Sequence, residues 1–349
     1  MNSEYLIIAG LAVIMILTLA LPFSVKKIEE ELEIFLFLMG ISAVTISRKW
    51  SWRLVKESLT EPIGISLAVL ITGLIFKGIR RHLKAWLNRL IAKIGLPGTI
   101  FIVICFLGLG SSVFTAIISS LILAEIITIL KLDRKYEVSV VIYACFAIGL
   151  GAALTPLGEP LSTIAIAKLK YPPHDAGFFY LLKLIGIWVV PGVLFIAFFA
   201  SLKTPSSANT SRTLGEDAVE TTYTVFLRTL KIFVFVMALI FLGTGLAPIA
   251  ENYLVKIPTW TLYWANAISA ILDNATLAAA EIAPSMSADQ IAFLLMGLLI
   301  SGGMLIPGNI PNIVSASKLS IKSSEWAKIA VPFGTILMIV YFVLLMMFL

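Results

Sequence analysis

Residues 149–169 read Gly-Leu-Gly-Ala-Ala-Leu-Thr-Pro-Leu-Gly-Glu-Pro-Leu-Ser-Thr-Ile-Ala-Ile-Ala-Lys-Leu. An apolar run, Val138 to Leu154, leads into them and is long enough at ~1.5 Å per residue to reach the middle of a bilayer. The helix is then broken at Thr155-Pro156-Leu157-Gly158-Glu159-Pro160, where two prolines and a glycine remove backbone donors and permit non-helical dihedrals. Helical apolar sequence resumes at Leu161. Broken backbone at membrane depth is tolerated only where it is buried in protein or lines a wet cavity. An acid, Glu159, stands inside this break.

The same design returns at residues 299–319, Leu-Ile-Ser-Gly-Gly-Met-Leu-Ile-Pro-Gly-Asn-Ile-Pro-Asn-Ile-Val-Ser-Ala-Ser-Lys-Leu. Without gaps, Gly158 falls on Gly308, Glu159 on Asn309, and Lys168-Leu169 on Lys318-Leu319. Prolines also kink purely structural membrane helices. Here the breaks carry polar side chains as well, and paired interrupted helices in two halves point to a transporter's binding site.

Composition sets the class. The chain has 349 residues, 59% hydrophobic and 13% charged, against roughly 25% charged in a soluble domain. Several nearly unbroken apolar stretches make it an all-α polytopic membrane protein, expected in the cell inner (plasma) membrane. No alternating pattern suggests an outer-membrane barrel. The first run, Tyr5 to Phe23, lacks a basic leader and a small-residue cleavage pattern, so it reads as a retained span. The net charge of +6 fits basic cytoplasmic loops, and no nucleic-acid motif accompanies it. Cys105 and Cys145 fall inside apolar runs and suggest neither a disulfide nor a metal site. His82 and His174 read as solvated.

In order, residues 1–60 supply two spans, at about 5–23 and 32–47, and an interfacial segment rich in tryptophan and base. Residues 61–201 form a first repeat. It opens with a span near 62–78 and a basic amphipathic helix, 79–95, lying in the membrane plane. Residues 97–130 are too long for one span and too short for two. They fit a re-entrant helical hairpin with its tip at Gly108-Leu-Gly-Ser111-Ser112. The broken helix 138–169 and a span near 178–200 follow. Residues 202–222 are a polar linker. Residues 223–349 repeat the plan: a span at 223–247, a hairpin at 258–283, a broken helix at 288–317 and a last span. Ala-Glu-Ile at 280–282 echoes Ala-Glu-Ile at 124–126. Three crossings per repeat invert the second relative to the first. With the amino terminus outside, inner loops hold about 17 Lys and Arg against 7 in outer ones, as the positive-inside rule requires.

Asp273 lies in an apolar setting where a carboxylate costs roughly 2.5–3.5 kcal/mol, so it and Glu159 are candidate ion-binding acids. Asn274, Thr276, Asn309, Asn312, Thr155, Ser162, Ser111 and Ser112 add side-chain oxygens of the kind that a small hard cation needs. Asp273, Asn274 and Asn309 form the nearest sodium-ligand set. A buried carboxylate that holds either a proton or a cation is a sufficient basis for exchange. The helix starts near Leu161 and Ile313 would instead favour an anion, so features for both ion signs are present. No nucleophile–base pair or phosphate loop suggests an enzyme, and no resident cofactor is expected beyond sodium or a proton as coupling ion.

Ser-Ala-Ile-Leu-Asp-Asn-Ala-Thr (269–276) resembles the Ser-Ala-Phe-Leu/Val-Asp-Asn motif of NhaD-type sodium/proton antiporters. Gly-Ala-Ala-Leu-Thr-Pro-Leu-Gly-Glu (151–159) and Pro-Gly-Asn-Ile-Pro-Asn (307–312) are similar to the Thr-Pro-Ile-Gly and Gly-Asn segments of the wider ion transporter superfamily. From about residue 60 the chain looks most like a small prokaryotic family regarded as cation transporters. The resemblance implies two inverted repeats, each with a re-entrant hairpin and a broken helix, and a hairpin module moving as an elevator against a homodimeric scaffold. The first hairpin departs from the motif: Ser112 to Ile117 stand where the second has Ser269 to Asn274, without the acid and amide. The expected function is therefore a secondary transporter exchanging sodium for protons. Sodium-coupled symport of a small carboxylate or oxyanion is the alternative.

Overall fold

The computed structural model describes residues 3–204, 222–253, 258–271 and 274–349. These residues are mostly helical, with no strand among them, and six helices are long and apolar enough to cross a membrane. The architecture is that of an all-helical polytopic membrane protein. Helices α1 (Ser3–Ser24), α2 (Lys26–Glu30) and α3 (Leu32–Ser47) open the chain. The long α4 (Trp52–Phe114) and α5 (Ala116–Leu130) come next, then α6 (Arg134–Ala152), α7 (Pro160–Lys168) and α8 (Tyr180–Lys203). The second half comprises α9 (Thr222–Tyr253), α10 (Thr259–Ala265), a 3₁₀ turn at Asn266–Ala270, α11 (Asn274–Glu281), α12 (Ala288–Gly302), α13 (Ile310–Leu319) and α14 (Ser323–Phe348).

Burial sorts these elements. Fourteen of the nineteen residues of α6 are buried, as are twelve of the fifteen in α12, so the helices that lead into the breaks form the core. By contrast, α8 exposes Ile187, Phe195 and Phe198, and α14 exposes Ile336, Val340 and Val343. Apolar faces of that extent suit hydrocarbon rather than water. Scaffold contacts are locked by hydroxyls: Tyr341 donates to the Trp188 carbonyl at 2.9 Å, and Tyr263 donates to the Met338 carbonyl at 2.8 Å. Tyr341→Phe leaves that carbonyl without the bond and should cost about 1 kcal/mol, read as a small fall in the detergent melting temperature.

Two elements differ from the sequence expectation. The span near 62–78 and the in-plane helix at 79–95 are one uninterrupted helix, and α4 leaves helical geometry only at Gly95 (φ 75°, ψ 170°). Lys, Arg, Ala and Leu dominate the intervening residues, and all are good helix formers. The hairpin turn also lies elsewhere. Gly108 to Ser112 are helical, and the chain turns at Thr115 (φ 74°, ψ 151°). Thr115 caps α5 by accepting from the Ile118 N–H at 3.3 Å. The Ala116 N–H donates to the Gly158 carbonyl at 2.9 Å, tying this turn to the first break.

The two halves cross over. Helix α7 packs on α11, and α13 packs on α5. Their ends are stapled too. Arg134 at the start of α6 pairs with Glu325 at 2.7 and 3.0 Å and donates to the carbonyls of Leu319 and Ser320. His174, expected to be solvated, has its ring nitrogens 3.1 Å from the Pro284 carbonyl and 3.1 Å from the Tyr180 hydroxyl. Charge placement also differs at one inner-loop residue. Lys318 is buried and forms an ion pair with Glu125 at 2.5 Å, both side chains 6–7% exposed.

Candidate functional site

The two breaks have the same backbone, 150 residues apart. Glu159 (φ −156°, ψ 161°) and Asn309 (φ −156°, ψ 148°) are the extended residues that precede α7 and α13. A proline follows in the first turn of each helix, where its missing donor costs nothing. The turn bonds match as well: Leu154 N–H to Gly151 O and Met304 N–H to Ser301 O, then Gly158 N–H to Thr155 O and Gly308 N–H to Leu305 O. Ser162 donates to the Ala152 carbonyl at 3.4 Å, and Asn312 donates to the Gly302 carbonyl at 2.9 Å.

Each break abuts its own half's turn. Ser111 donates to the Ile148 carbonyl at 2.9 Å, and Ser269 donates to the Leu298 carbonyl at 3.3 Å. The acceptors are again 150 apart, so Ser111 is the counterpart of Ser269, one residue from the expected pairing with Ser112. Ser112 bonds back to its own helix at Leu109, while its carbonyl accepts from the Thr155 hydroxyl at 2.5 Å. The breaks also approach one another. A Cβ at Gly149 would lie 2.7 Å from the Asn309 amide nitrogen, so Asn309 in the second break lies against α6. The Cys145 thiol lies 3.5 Å from the Pro311 carbonyl and 3.4 Å from the Ser315 hydroxyl, joining α6 to α13.

Two side chains at the second break carry buried polar atoms without bonds. Asn274 is 3% exposed, and neither side-chain atom has a hydrogen-bond partner. Its amide oxygen lies 2.7 Å from where a Cβ on Gly302 would stand. Asn312 is fully buried; its nitrogen donates to Gly302 and Leu305, and its oxygen is unbonded. Two buried amides thus meet at Gly302, each with an unbonded oxygen, although buried polar groups are normally satisfied. Glu159, Asn309 and Thr155 are buried at 6–7% exposure, and Ser162 fully. Thr276 is placed differently: its hydroxyl abuts Gly243 of α9, away from Gly302. Asp273 lies outside the described residues.

A cavity of about 370 Å³ approaches this break from the side of α3 and α9, and Glu33, Lys231, Ile306 and Ile313 line it. Lys231 pairs there with Glu33 at 2.6 Å. Sequence reading missed Lys231, Glu33 and the Lys318–Glu125 pair, because nothing local couples residues about 200 positions apart.

No curated protein matches the chain. The sequence profile of one family covers residues 8–348, so the chain, with its two matched breaks, belongs to the family described as Protein of unknown function (DUF1646).

Proposed function

We propose that the chain is a secondary transporter that exchanges a monovalent cation, sodium in the first instance, for protons. The observation that carries this reading is the pair of buried amides, Asn274 and Asn312, meeting at Gly302 with unbonded oxygens. Carbonyl-type oxygen is the ligand of a hard cation, and half-helix breaks are where transporters seat their ions. Asp273, adjacent to Asn274 in sequence, would supply the negative charge. Glu159 at the matching position of the first break supplies the second titratable group.

The finer architecture belongs to the same proposal. Two inverted repeats, each with a re-entrant hairpin and a broken helix, account for the breaks' shared dihedrals and for each α7 or α13 half-helix packing on the other half's hairpin. Inversion would place the 370 Å³ cavity on the inner side, beside the basic loops. A homodimeric scaffold with a moving hairpin module is retained from the family resemblance. An anion cargo is less well supported, because the acid Glu159 stands directly before α7 and would repel it.

Reconstituted vesicles with an imposed pH gradient test the reading. Sodium or lithium should dissipate the gradient. Asn274→Ala and Asn312→Ala, by removing one oxygen each from a charged ligand, should each raise the half-saturating sodium concentration about tenfold. A gradient indifferent to both ions rejects the proposal, as does exchange untouched by Asp273→Asn and Glu159→Gln together. Dependence on an added carboxylate or oxyanion would favour symport instead.

A further inference from the structure

A third acid, on the wall of a second cavity, has no role in the site above. Glu281 ends α11, is 2% exposed, and neither of its carboxyl oxygens has a hydrogen-bond partner. The side chain that faces it is Asn266, fully buried, with both amide atoms outside hydrogen-bonding geometry. The acid forms part of the wall of a cavity of about 620 Å³, together with Trp260, Met286, Asp289, Gln290 and Phe293. This cavity reaches Met346 at the carboxyl end of α14, whereas the 370 Å³ cavity reaches Ser323 at its start. At ~1.5 Å per residue the helix between them is as long as a bilayer is thick, so the cavities lie at opposite ends.

Charge accounting narrows what Glu281 can hold. Ionisable groups near it include Lys168 from α7, Asp289 from α12 and His174 from the loop after α7. Lys168 is committed elsewhere: its ammonium donates to the carbonyls of Ala279 and Ile282. His174 sits on the Pro284 carbonyl, and Asp289 adds negative charge on the cavity wall. A buried carboxylate without a counter-charge costs several kcal/mol. A proton or a metal ion would relieve that cost. A hard cation needs several oxygens, and Asn266 offers one amide oxygen, which suffices to accept from a carboxylic acid.

We propose that Glu281 is a proton-binding site served by the outer cavity. A proton from cavity water joins the Glu281 carboxylate, and the resulting acid donates to the Asn266 amide oxygen. Release returns the proton to cavity water and re-forms the carboxylate, which then accepts from the Asn266 amide nitrogen. Each change of state turns Asn266, whose backbone carbonyl accepts from Ser301 at 2.7 Å. Ser301 in turn bonds Ser269 at 2.6 Å, one residue before Gly302. The proton site is thereby joined to the proposed cation seat, and this linkage rests on the exchange reading above.

The test uses the full chain in detergent and a hydrophobic carbodiimide, which modifies carboxyls in their protonated form. Mass spectrometry of the peptide containing Glu281 should show labelling that falls about tenfold per pH unit once the acid begins to ionise, and none in Glu281→Gln. Labelling that is absent at every pH, or flat with pH, overturns the proposal. In vesicles, Glu281→Gln should flatten the pH profile of sodium exchange while one-for-one isotopic sodium exchange persists. An unchanged profile also overturns it. If wild-type vesicles carry out no exchange while Glu281 still titrates by labelling, the transport reading fails and the proton site stands.

Discussion

Lys318→Met should lower the stability of the folded protein by about 3–5 kcal/mol, because it strips the ammonium from a carboxylate that stays buried. The pair joins α13 to the middle of α5 at 2.5 Å, with both side chains 6–7% exposed. A surface ion pair of the same length would contribute about 0–1 kcal/mol; burial makes the difference, since water cannot solvate the remaining charge. For a chain of this size the loss corresponds to a fall on the order of 10 °C in the detergent melting temperature. The double variant Glu125→Leu with Lys318→Met removes both charges and should recover most of it. If the single and double variants melt alike, the pair is not what holds α13 to α5. The transport reading adds a second expectation. Lys168, at the matching position of α7, donates to the backbone carbonyls of Ala279 in α11 and of Ile282 just after it rather than to a carboxylate. Lys168→Met leaves no buried charge behind and should be the milder change.

These contacts show what a single sequence exposes and what it conceals. The breaks were legible because proline and glycine act locally, through missing donors and permitted dihedrals. Their equivalence was legible because Gly158, Lys168 and Leu169 recur at a constant spacing of 150. The turn at Thr115 was not. A threonine at positive φ carries no compositional signal, and the chain bends there because Ser111 and Ala116 are tied across space to Ile148 and Gly158. The same limit hid the Lys318–Glu125 pair and the orphaned amide of Asn266, whose environment is set by helices distant in sequence. Asn274 and Asn312 were identifiable as polar residues in apolar runs. That both meet Gly302 depends on how α11 and α13 dock, which no local pattern encodes. The stretch of α4 before Gly95 is the converse case: charge on one face suggested a separate planar helix, while strong helix formers carried the chain straight from the span into it.

Gly158→Ala should be as damaging as a core cavity, although it adds only a methyl group. A Cβ at Gly158 would overlap the Ala152 carbonyl oxygen and come within 2.7 Å of the Ala152 Cα. Both belong to the backbone, so no side chain can swing aside, and the break must open to admit the methyl. Overpacking of a rigid site costs about 1–3 kcal/mol or more; the upper end applies here, because that carbonyl also accepts from Ser162 and the Gly158 carbonyl accepts from Ala116. Moving one residue therefore loosens the hairpin turn and the start of α7 together. Gly177→Ala and Gly64→Ala supply the contrast, since a Cβ at either position meets nothing within 4 Å; neither should melt below the parent protein, and Gly64→Ala, inside α4, should gain up to about 1 kcal/mol. The corresponding methyl at Gly308 would crowd the carbonyls of Gly302 and Ser269, the backbone that frames Asn274 and Asn312. Gly308→Ala should consequently weaken sodium-dependent protection from thermal unfolding even where some fold survives. Should Gly158→Ala melt with the two open-site controls, the closed break is not the packed, rigid element that an ion seat between two half-helices requires.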